Sequence, residues 1–108
     1  MNEIKKYIKE NQNKSDILPM ITCQDGFKIS IQCGWGHYSS PKVNRGDALP
    51  NNPTHFELGF PSKYEELISD FAQDSTYSKK NLDTVFGWVP IQTVNKIIRK
   101  HGGIKERI

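Results

Sequence analysis

The chain has 108 residues, of which 35% are hydrophobic and 25% charged, and its formal net charge is +3. These values favour one globular domain over residues 1–108 and exclude a disordered chain. The charge permits an anionic partner but is too small for a dedicated nucleic-acid-binding domain. No apolar run reaches the roughly 18 residues of a membrane span, and the N-terminal stretch lacks the apolar segment of a signal peptide. We therefore expect a cytoplasmic protein.

The first third of the chain predicts a helix followed by a β-hairpin. Within residues 1–14, apolar residues recur at helical spacing and leave a Lys/Glu face outside. The stretch PMITCQDGFKISIQC then alternates apolar and polar residues on either side of Asp25-Gly26. That pair favours a two-residue type I′ turn.

Both cysteines fall in this hairpin. A two-residue turn at Asp25-Gly26 places Cys23 opposite Lys28, so that Cys23 and Cys33 lie on opposite faces of the sheet. We therefore expect neither a disulfide nor a shared metal site between them, and a reducing compartment keeps both as thiols.

A long loop follows over residues 34–53, which carry Gly, Ser, Pro and Asn throughout and show no apolar period. A loop of about 20 residues far exceeds the usual length and is typical of functional or disordered segments. Planar rings and cationic groups alternate in it: Trp35, His37, Tyr38, Lys42 and Arg45. Rings stack on nucleobases and guanidinium groups bind phosphates, so this loop is the candidate ligand-binding segment. Alternatively, the two large rings fold back to cap the sheet and leave the cations solvated.

The segments THFELGFPS and SKYEELISDFA predict a strand and then a helix. Ser62 and Glu65 have the spacing of a capping box at the start of that helix. Glu65 and Glu66 are adjacent on the helix and point apart, so both are expected on a solvated face.

The last third predicts a strand over TVFGWV and a helix over PIQTVNKIIRKH, with Pro90 near the first helical position. Gly102 supplies a left-handed stop, and Ile104 can close over it as in a Schellman motif. Both late strands contain a glycine followed by an aromatic residue, at Gly59 and Gly87. Glycine inside a strand often marks a bulge or a close backbone approach.

Together these elements predict an α+β domain in the order α-β-β-β-α-β-α. Four strands form a mainly antiparallel sheet with the helices packed on it. The strand order within the sheet cannot be derived from the sequence.

The sequence contains only incomplete versions of the residue groups that catalyse reactions or bind metals. Ser39 lies near His37, but the nucleophile-elbow motif G-x-S-x-G is absent. Cys33 and His37 resemble half a zinc site, whose second half would need Cys23 or His55. Phosphate-binding glycine loops are also absent. We expect no catalytic residue, no metal and no cofactor.

Cationic residues cluster in the closing segment RKHGGIKER. Cations at a helix C-terminus offset the helix dipole, which is a sufficient structural explanation. In a symmetric oligomer, copies of Arg99 with Lys100 could instead converge near an axis and form a second anion site.

Five segments, ITCQDGFKISIQ, HYSSPK, FELGFPS, TVFGWVP and IIRKHGGI, together resemble a family of small phage and prophage proteins. That family is the first-described type of Thoeris anti-defence "sponge", and the resemblance covers roughly residues 21–104. It implies a non-enzymatic protein of the infected bacterial cytoplasm that sequesters cyclic ADP-ribose isomers, and in some members cyclic trinucleotides. It also implies a dimer or higher homo-oligomer with ligands between protomers.

By position, the resemblance implies that an adenine lies between Arg45 and Phe71 with Asn81 nearby, and that Arg99 serves a cyclic-trinucleotide site. Phe71 also fits the apolar stripe of the middle helix, and Asn81 also fits a turn. Lys42 stands where the family pattern often has arginine. Lysine contacts a phosphate as a point charge, without the bidentate fork.

Two other function classes stay open at this point. One is a phage inhibitor that binds a host defence protein, such as an anti-CRISPR, through the basic loop. The other is a small structural or regulatory domain without a ligand.

Overall fold

The computed structural model describes residues 3–11, 17–50 and 52–105. The predicted α+β class and the predicted element order are confirmed, with the middle helix present as a 3-10 helix. The remaining positions of the predicted N-terminal helix, residues 1, 2 and 12–14, lie outside the described residues. The elements are α1 (Glu3–Asn11), β1 (Ile21–Thr22), β2 (Lys28–Gln32), β3 (His55–Gly59), the 3-10 helix (Glu66–Phe71), β4 (Val85–Pro90) and α2 (Ile91–Lys100).

The four strands form one antiparallel sheet in the order β1-β2-β3-β4. Helix α2 packs on β3 and β4, and α1 packs in turn on α2. The apolar face of α2 therefore meets the apolar face of the sheet, and this contact forms the core. Its largest fully buried apolar side chains are Phe56, Phe86, Ile4, Leu18, Ile21, Ile29, Ile31, Leu58, Ile68, Ile97 and Ile98.

The β1–β2 hairpin turns through three residues, so the predicted type I′ turn is wrong. The Cys23 N–H donates to the Phe27 carbonyl at 2.8 Å, and the Gly26 N–H donates to the Cys23 carbonyl at 2.9 Å. Only Gly26 in this turn has a positive φ, 94°, as in a type I turn closed by a left-handed glycine. The Asp25 carboxylate accepts from the Phe27 N–H at 2.9 Å and stabilises this turn in place of the two-residue one.

The longer turn shifts the strand register by one residue and brings both cysteines to the core. Ile21 lies opposite Ile29, and Cys23 and Cys33 are both buried, so the predicted opposite faces are wrong. The thiols are free, and from Phe27, the partner of Cys23, to Cys33 the extended chain covers roughly 20 Å. Burial raises the pKa of each thiol to about 11, which makes both poor nucleophiles.

The segment before the 3-10 helix remains bound to β2, and the predicted capping box is wrong for that reason. The Ser62 N–H donates to the Lys28 carbonyl, and the Ser62 hydroxyl accepts from the Lys28 N–H, both at 2.9 Å. Ser62 is therefore engaged with the sheet. The cap is Glu65, whose carboxylate accepts from the Leu67 N–H at 3.1 Å.

Helix α2 ends in the predicted Schellman motif. The Gly103 N–H donates to the Ile98 carbonyl at 2.9 Å, and the Gly102 N–H donates to the Arg99 carbonyl at 3.1 Å. Residues 101–105 then run beside β1 and hydrogen-bond to its backbone. The C-terminal segment thereby covers the outer edge of the first strand.

Candidate functional site

The long loop begins with an excursion that leaves β2 and returns to the sheet at Ser40, which pairs with His55. Glu57 holds this excursion from the middle of β3. The His37 Nδ1 atom lies 3.0 Å from Glu57 Oε1, and the Tyr38 N–H donates to Glu57 Oε2 at 3.1 Å. Because Glu57 alternates with buried residues of β3, its side chain points to the sheet face opposite the core. The loop therefore packs on that second face.

Strand β4 carries a bulge directly beside this loop. The pairing between β3 and β4 shifts between two positions, so that Gly87 and Trp88 together stand opposite Glu57. Trp88 adopts a φ of 49°, which is unusual for a bulky residue. Its N–H donates to the Tyr38 carbonyl at 2.9 Å. The bulge therefore joins β4 to the loop through the backbone of Trp88.

Gly87 permits this close approach of the loop. A Cβ atom at residue 87 would lie 3.2 Å from the Tyr38 Cβ and 3.1 Å from the Gln73 side-chain nitrogen. Both distances are shorter than ordinary van der Waals contact, and the Tyr38 Cβ is fixed by its backbone bonds. The prediction that this glycine marks a bulge or close approach is confirmed.

One pair of stacked rings and one cation–ring contact involve residues of the loop. The rings of Tyr38 and Trp88 are stacked with centroids 5.0 Å apart, and the Arg45 guanidinium carbon lies 5.3 Å from the centroid of the Trp35 ring. Trp35, Tyr38 and Trp88 are 53%, 47% and 44% exposed. Since Trp35 and Tyr38 are three residues apart, their Cα atoms lie at most about 11 Å apart. We call these four residues the aromatic surface.

The observed loop matches neither the predicted ligand-binding loop nor the predicted cap of the sheet completely. The loop does pack on the sheet, through Glu57, but its rings remain about half exposed instead of forming a closed cap. Lys42 is also exposed. An exposed ring beside a guanidinium group is suited to stacking with a planar ligand and to binding an anion.

Backbone strain at two exposed rings can be measured. Phe60 and Trp88 have positive φ, 52° and 49°, and are the only described non-glycine residues that do. At each position we expect the glycine variant to be more stable than the alanine variant by about 1 kcal/mol, because both lose the ring and only alanine keeps the Cβ clash. Urea unfolding of the two pairs of variants measures this difference. Alanine variants at least as stable as the glycine variants would show that these positions carry no strain.

The other residues implied by the resemblance lie elsewhere. Phe71 ends the 3-10 helix and packs, partly buried, against the core. The Asn81 side chain donates to the Thr76 hydroxyl at 2.8 Å and accepts from the Asp83 N–H at 3.2 Å, within a turn. No hydrogen bond, ion pair or ring contact among the described residues joins Arg45 to Phe71 or Asn81. Arg45 and Phe71 therefore do not contact each other within one chain.

At the second implied anion site, Arg99 is exposed and Lys100 is engaged by a carboxylate. The Lys100 ammonium lies 2.9 Å from Glu65 Oε2, and the His101 Nε2 atom lies 2.9 Å from Glu65 Oε1. The other ring nitrogen of His101 lies 2.6 Å from Asp25 Oδ2. We call Asp25, Glu65, Lys100 and His101 the charged cluster.

Glu65 is only 1% exposed, so the prediction that it lies on a solvated face is wrong. Burial alone raises the pKa of Glu65, but hydrogen bonds from Lys100, His101 and the Leu67 N–H together outweigh burial and lower it. The pKa of Asp25 is lowered by the Phe27 N–H and by His101. The cluster joins the hairpin turn, the 3-10 helix and the end of α2.

Sequence reasoning missed Glu57 and Trp88 as parts of the site. Glu57 looked like an ordinary polar residue of an alternating strand, and nothing in its neighbours marks it. Trp88 had a signal, because it follows a glycine inside a strand in the same way as Phe60. An aromatic residue that follows a glycine inside a strand can be turned toward solvent when the glycine forms a bulge.

Comparison with known proteins gave no match: no family model fits the chain, and no curated protein or solved structure is significantly similar to it. Across residues 3–11, 17–50 and 52–105, no group of three or more His, Cys, Asp and Glu side chains could hold a metal ion. No helix in this part of the chain is long and apolar enough to cross a membrane. What the chain binds is therefore inferred from its own residues.

Proposed function

We propose that this chain is a binding protein for a small nucleotide-derived signal, which it holds at the aromatic surface and does not cleave. The observation that carries the proposal is the Arg45 guanidinium above the exposed Trp35 ring. The motif resemblance extends it to a phage protein of the infected bacterial cytoplasm that sequesters a cyclic ADP-ribose isomer, or a cyclic trinucleotide, made as an immune signal.

The chemistry of a stacked arginine supports this proposal. A guanidinium group that lies over a ring uses its flat face, and its N–H groups stay in the plane, available to a phosphate. Arg45 is exposed, and Lys42 adds a second cation on the same loop. A nucleotide presents both a planar base and an anionic phosphate, which are the two features that this surface accommodates.

The surroundings of the serine and histidine side chains support binding without turnover. The Ser39 hydroxyl is buried and accepts from the Gly34 N–H at 3.1 Å. The His37 and His101 rings face carboxylates, and His55 Nδ1 lies 2.9 Å from the Thr54 hydroxyl. Of these contacts, only that of the exposed Thr54 hydroxyl places a hydroxyl beside a histidine ring. No hydrogen bond among the described residues orients the other ring nitrogen of His55, as a base that activates a nucleophile would require.

A homo-oligomer is part of the proposal. Within one chain Arg45 contacts Trp35, and Phe71 packs on the core of the same chain at a different element. The motif resemblance implies ligands between protomers, and the exposed rings of Trp35, Tyr38 and Trp88 are available for contact with a second copy. An interface between two copies would also remove the apolar surface of these half-exposed rings from water, which favours association.

Arg45→Ala is expected to weaken ligand binding by roughly 10- to 100-fold, because the variant loses both the cation beside Trp35 and the phosphate fork. Calorimetric titration with cyclic ADP-ribose and ADP-ribose measures the affinity. Arg45→Lys should fall between the parent and alanine, since it keeps the charge alone.

Lys80→Ala is the matched control, since Lys80 is an exposed loop cation whose contact in the structure is made by its backbone N–H. It should leave the affinity unchanged. The proposal fails if no nucleotide raises the melting temperature of the parent, because a ligand at 100 times its Kd adds about 2.7 kcal/mol of stability. It also fails if Arg45→Ala binds as tightly as the parent.

The same rings also favour the second candidate, an inhibitor of a host defence protein. Exposed Trp, Tyr and Arg are the residues that dominate protein interfaces. If the parent binds no nucleotide but Trp35→Ala loses inhibition of a defence system in infected cells, this second function replaces the first.

A further inference from the structure

We infer that the stacked rings of Tyr38 and Trp88 form a preorganised subsite for a planar heterocycle, such as the base of a nucleotide, separate from the Arg45–Trp35 pair. This inference rests on the proposed function and assigns Trp88 a role that the motif resemblance does not give it. Trp88, and not Trp35, would then be the tryptophan that contacts the base.

Three backbone features act together to hold Trp88. The bulge in β4 inserts the residue, its φ of 49° turns the ring away from the regular strand direction, and its N–H donates to the Tyr38 carbonyl at 2.9 Å. Positive φ in a bulky residue is unfavourable and persists only where the surrounding structure enforces it. Phe60 shares the positive φ, whereas at Trp88 a bulge and a hydrogen bond to the Tyr38 backbone also hold the exposed ring against a second ring.

Tyr38 is fixed from both sides. Glu57 on β3 accepts the Tyr38 N–H at 3.1 Å, and Trp88 on β4 donates to the Tyr38 carbonyl. The absence of a side chain at Gly87 lets the Tyr38 Cβ approach the strand. The backbone amide and carbonyl of Tyr38 are thereby tied to two neighbouring strands, and its ring lies stacked on Trp88.

This rigidity matters for binding because ordering flexible side chains opposes association. The two rings already lie at 28° to one another with centroids 5.0 Å apart, and both remain about half exposed. A base can therefore extend the stack with little rearrangement. Stacking is tolerant of base identity, so this subsite supplies affinity, and selectivity must come from the groups around it.

A single nucleotide fits the charge better than a nucleic-acid strand does. The formal net charge is only +3, and a strand-binding groove needs a row of cations along the backbone path. One ring pair with Arg45 and Lys42 on the same loop matches one base and a nearby phosphate.

The chain offers a direct test, since it contains two tryptophans, Trp35 and Trp88. In Trp35→Phe the indole fluorescence comes from Trp88, and in Trp88→Phe it comes from Trp35. We expect titration with AMP to quench the Trp35→Phe variant saturably. Ribose 5-phosphate, which lacks a base, should leave the Trp88 signal unchanged.

Binding measured by calorimetry completes the test. Trp88→Ala should bind AMP about tenfold or more weakly than the parent, in line with the loss of one stacked base. Phe60→Ala is the matched control, because Phe60 has the same left-handed backbone and is 70% exposed. It should retain the parent affinity, and circular dichroism checks that each variant is folded.

Failure of the inference can be told apart from failure of the proposed function. Quenching confined to the Trp88→Phe variant, or an unchanged affinity in folded Trp88→Ala, would overturn the inference and leave nucleotide binding intact. If neither tryptophan responds and the parent shows no heat or melting shift with AMP, ADP-ribose or cyclic ADP-ribose, both fall.

Discussion

Replacing Glu65 with alanine is expected to lower the free energy of unfolding by about 2–4 kcal/mol, because the variant loses a buried charged hydrogen-bond acceptor and a helix cap. The carboxylate is almost fully buried and receives Lys100, His101 and the Leu67 N–H. Its loss removes the acceptor of the Lys100 ammonium and of the His101 Nε2 atom, and it removes the cap of the 3-10 helix.

Urea or thermal unfolding measures this effect, and the melting temperature should fall by on the order of 15 °C. Glu66→Ala is the matched control, because Glu66 is the adjacent residue, carries the same charge and is exposed. It should change stability by no more than about 0.5 kcal/mol. Equal effects at the two positions would show that the charged cluster adds nothing to stability.

Acid should destabilise the protein through the same cluster. The pKa values of Glu65 and Asp25 are lowered on folding, from ordinary values of about 4.3 and 3.9. Each carboxylate therefore contributes stability that is fully present above its ordinary pKa and is lost as the pH falls through its lowered folded value. Once protonated, the Glu65 carboxyl no longer attracts the Lys100 ammonium that lies 2.9 Å from it.

Melting temperature measured from pH 7 to pH 2 tests this expectation. A protonated Glu65 and a glutamine are both neutral and similar in size, so acid should bring the parent toward the stability of Glu65→Gln. The variant should accordingly show a shallower loss below pH 4. Parallel curves for parent and variant would contradict the assignment of the acid transition to Glu65.

The late helix and its ending could be predicted because the signals are local. Ile91, Val94, Ile97 and Ile98 repeat at helical spacing, and the two glycines that follow supply the stop. The two hydrogen bonds that define the motif join Ile98 to Gly103 and Arg99 to Gly102, so local sequence was sufficient to predict it. Four strands in an antiparallel sheet also followed from alternation and turn residues.

The hairpin register could not be predicted, because two turns compete at the same residues. Asp25-Gly26 is compatible with a two-residue turn and with a three-residue one. The choice depends on the Asp25 carboxylate, which binds the Phe27 N–H and also meets His101 from the other end of the chain. The residues next to Asp25 in the sequence do not indicate a contact with residue 101.

Only part of the candidate site could be predicted, because the rest depends on contacts between residues far apart in the sequence. Trp35, Tyr38 and Arg45 stood out because rings and cations cluster on one loop. Trp88 is separated from them by half of the chain and meets Tyr38 only because β4 carries an extra residue. The burial of Glu65 was missed because its cationic partners come from the end of α2.

The aromatic surface depends on one extra residue in β4. Removing the single residue Gly87 would restore continuous pairing between β3 and β4, return Trp88 to a regular strand conformation and withdraw its N–H from Tyr38. The sheet would gain regularity, and the loop would lose its attachment. In related sequences, a one-residue gap at this position would mark proteins that keep the fold without the aromatic surface.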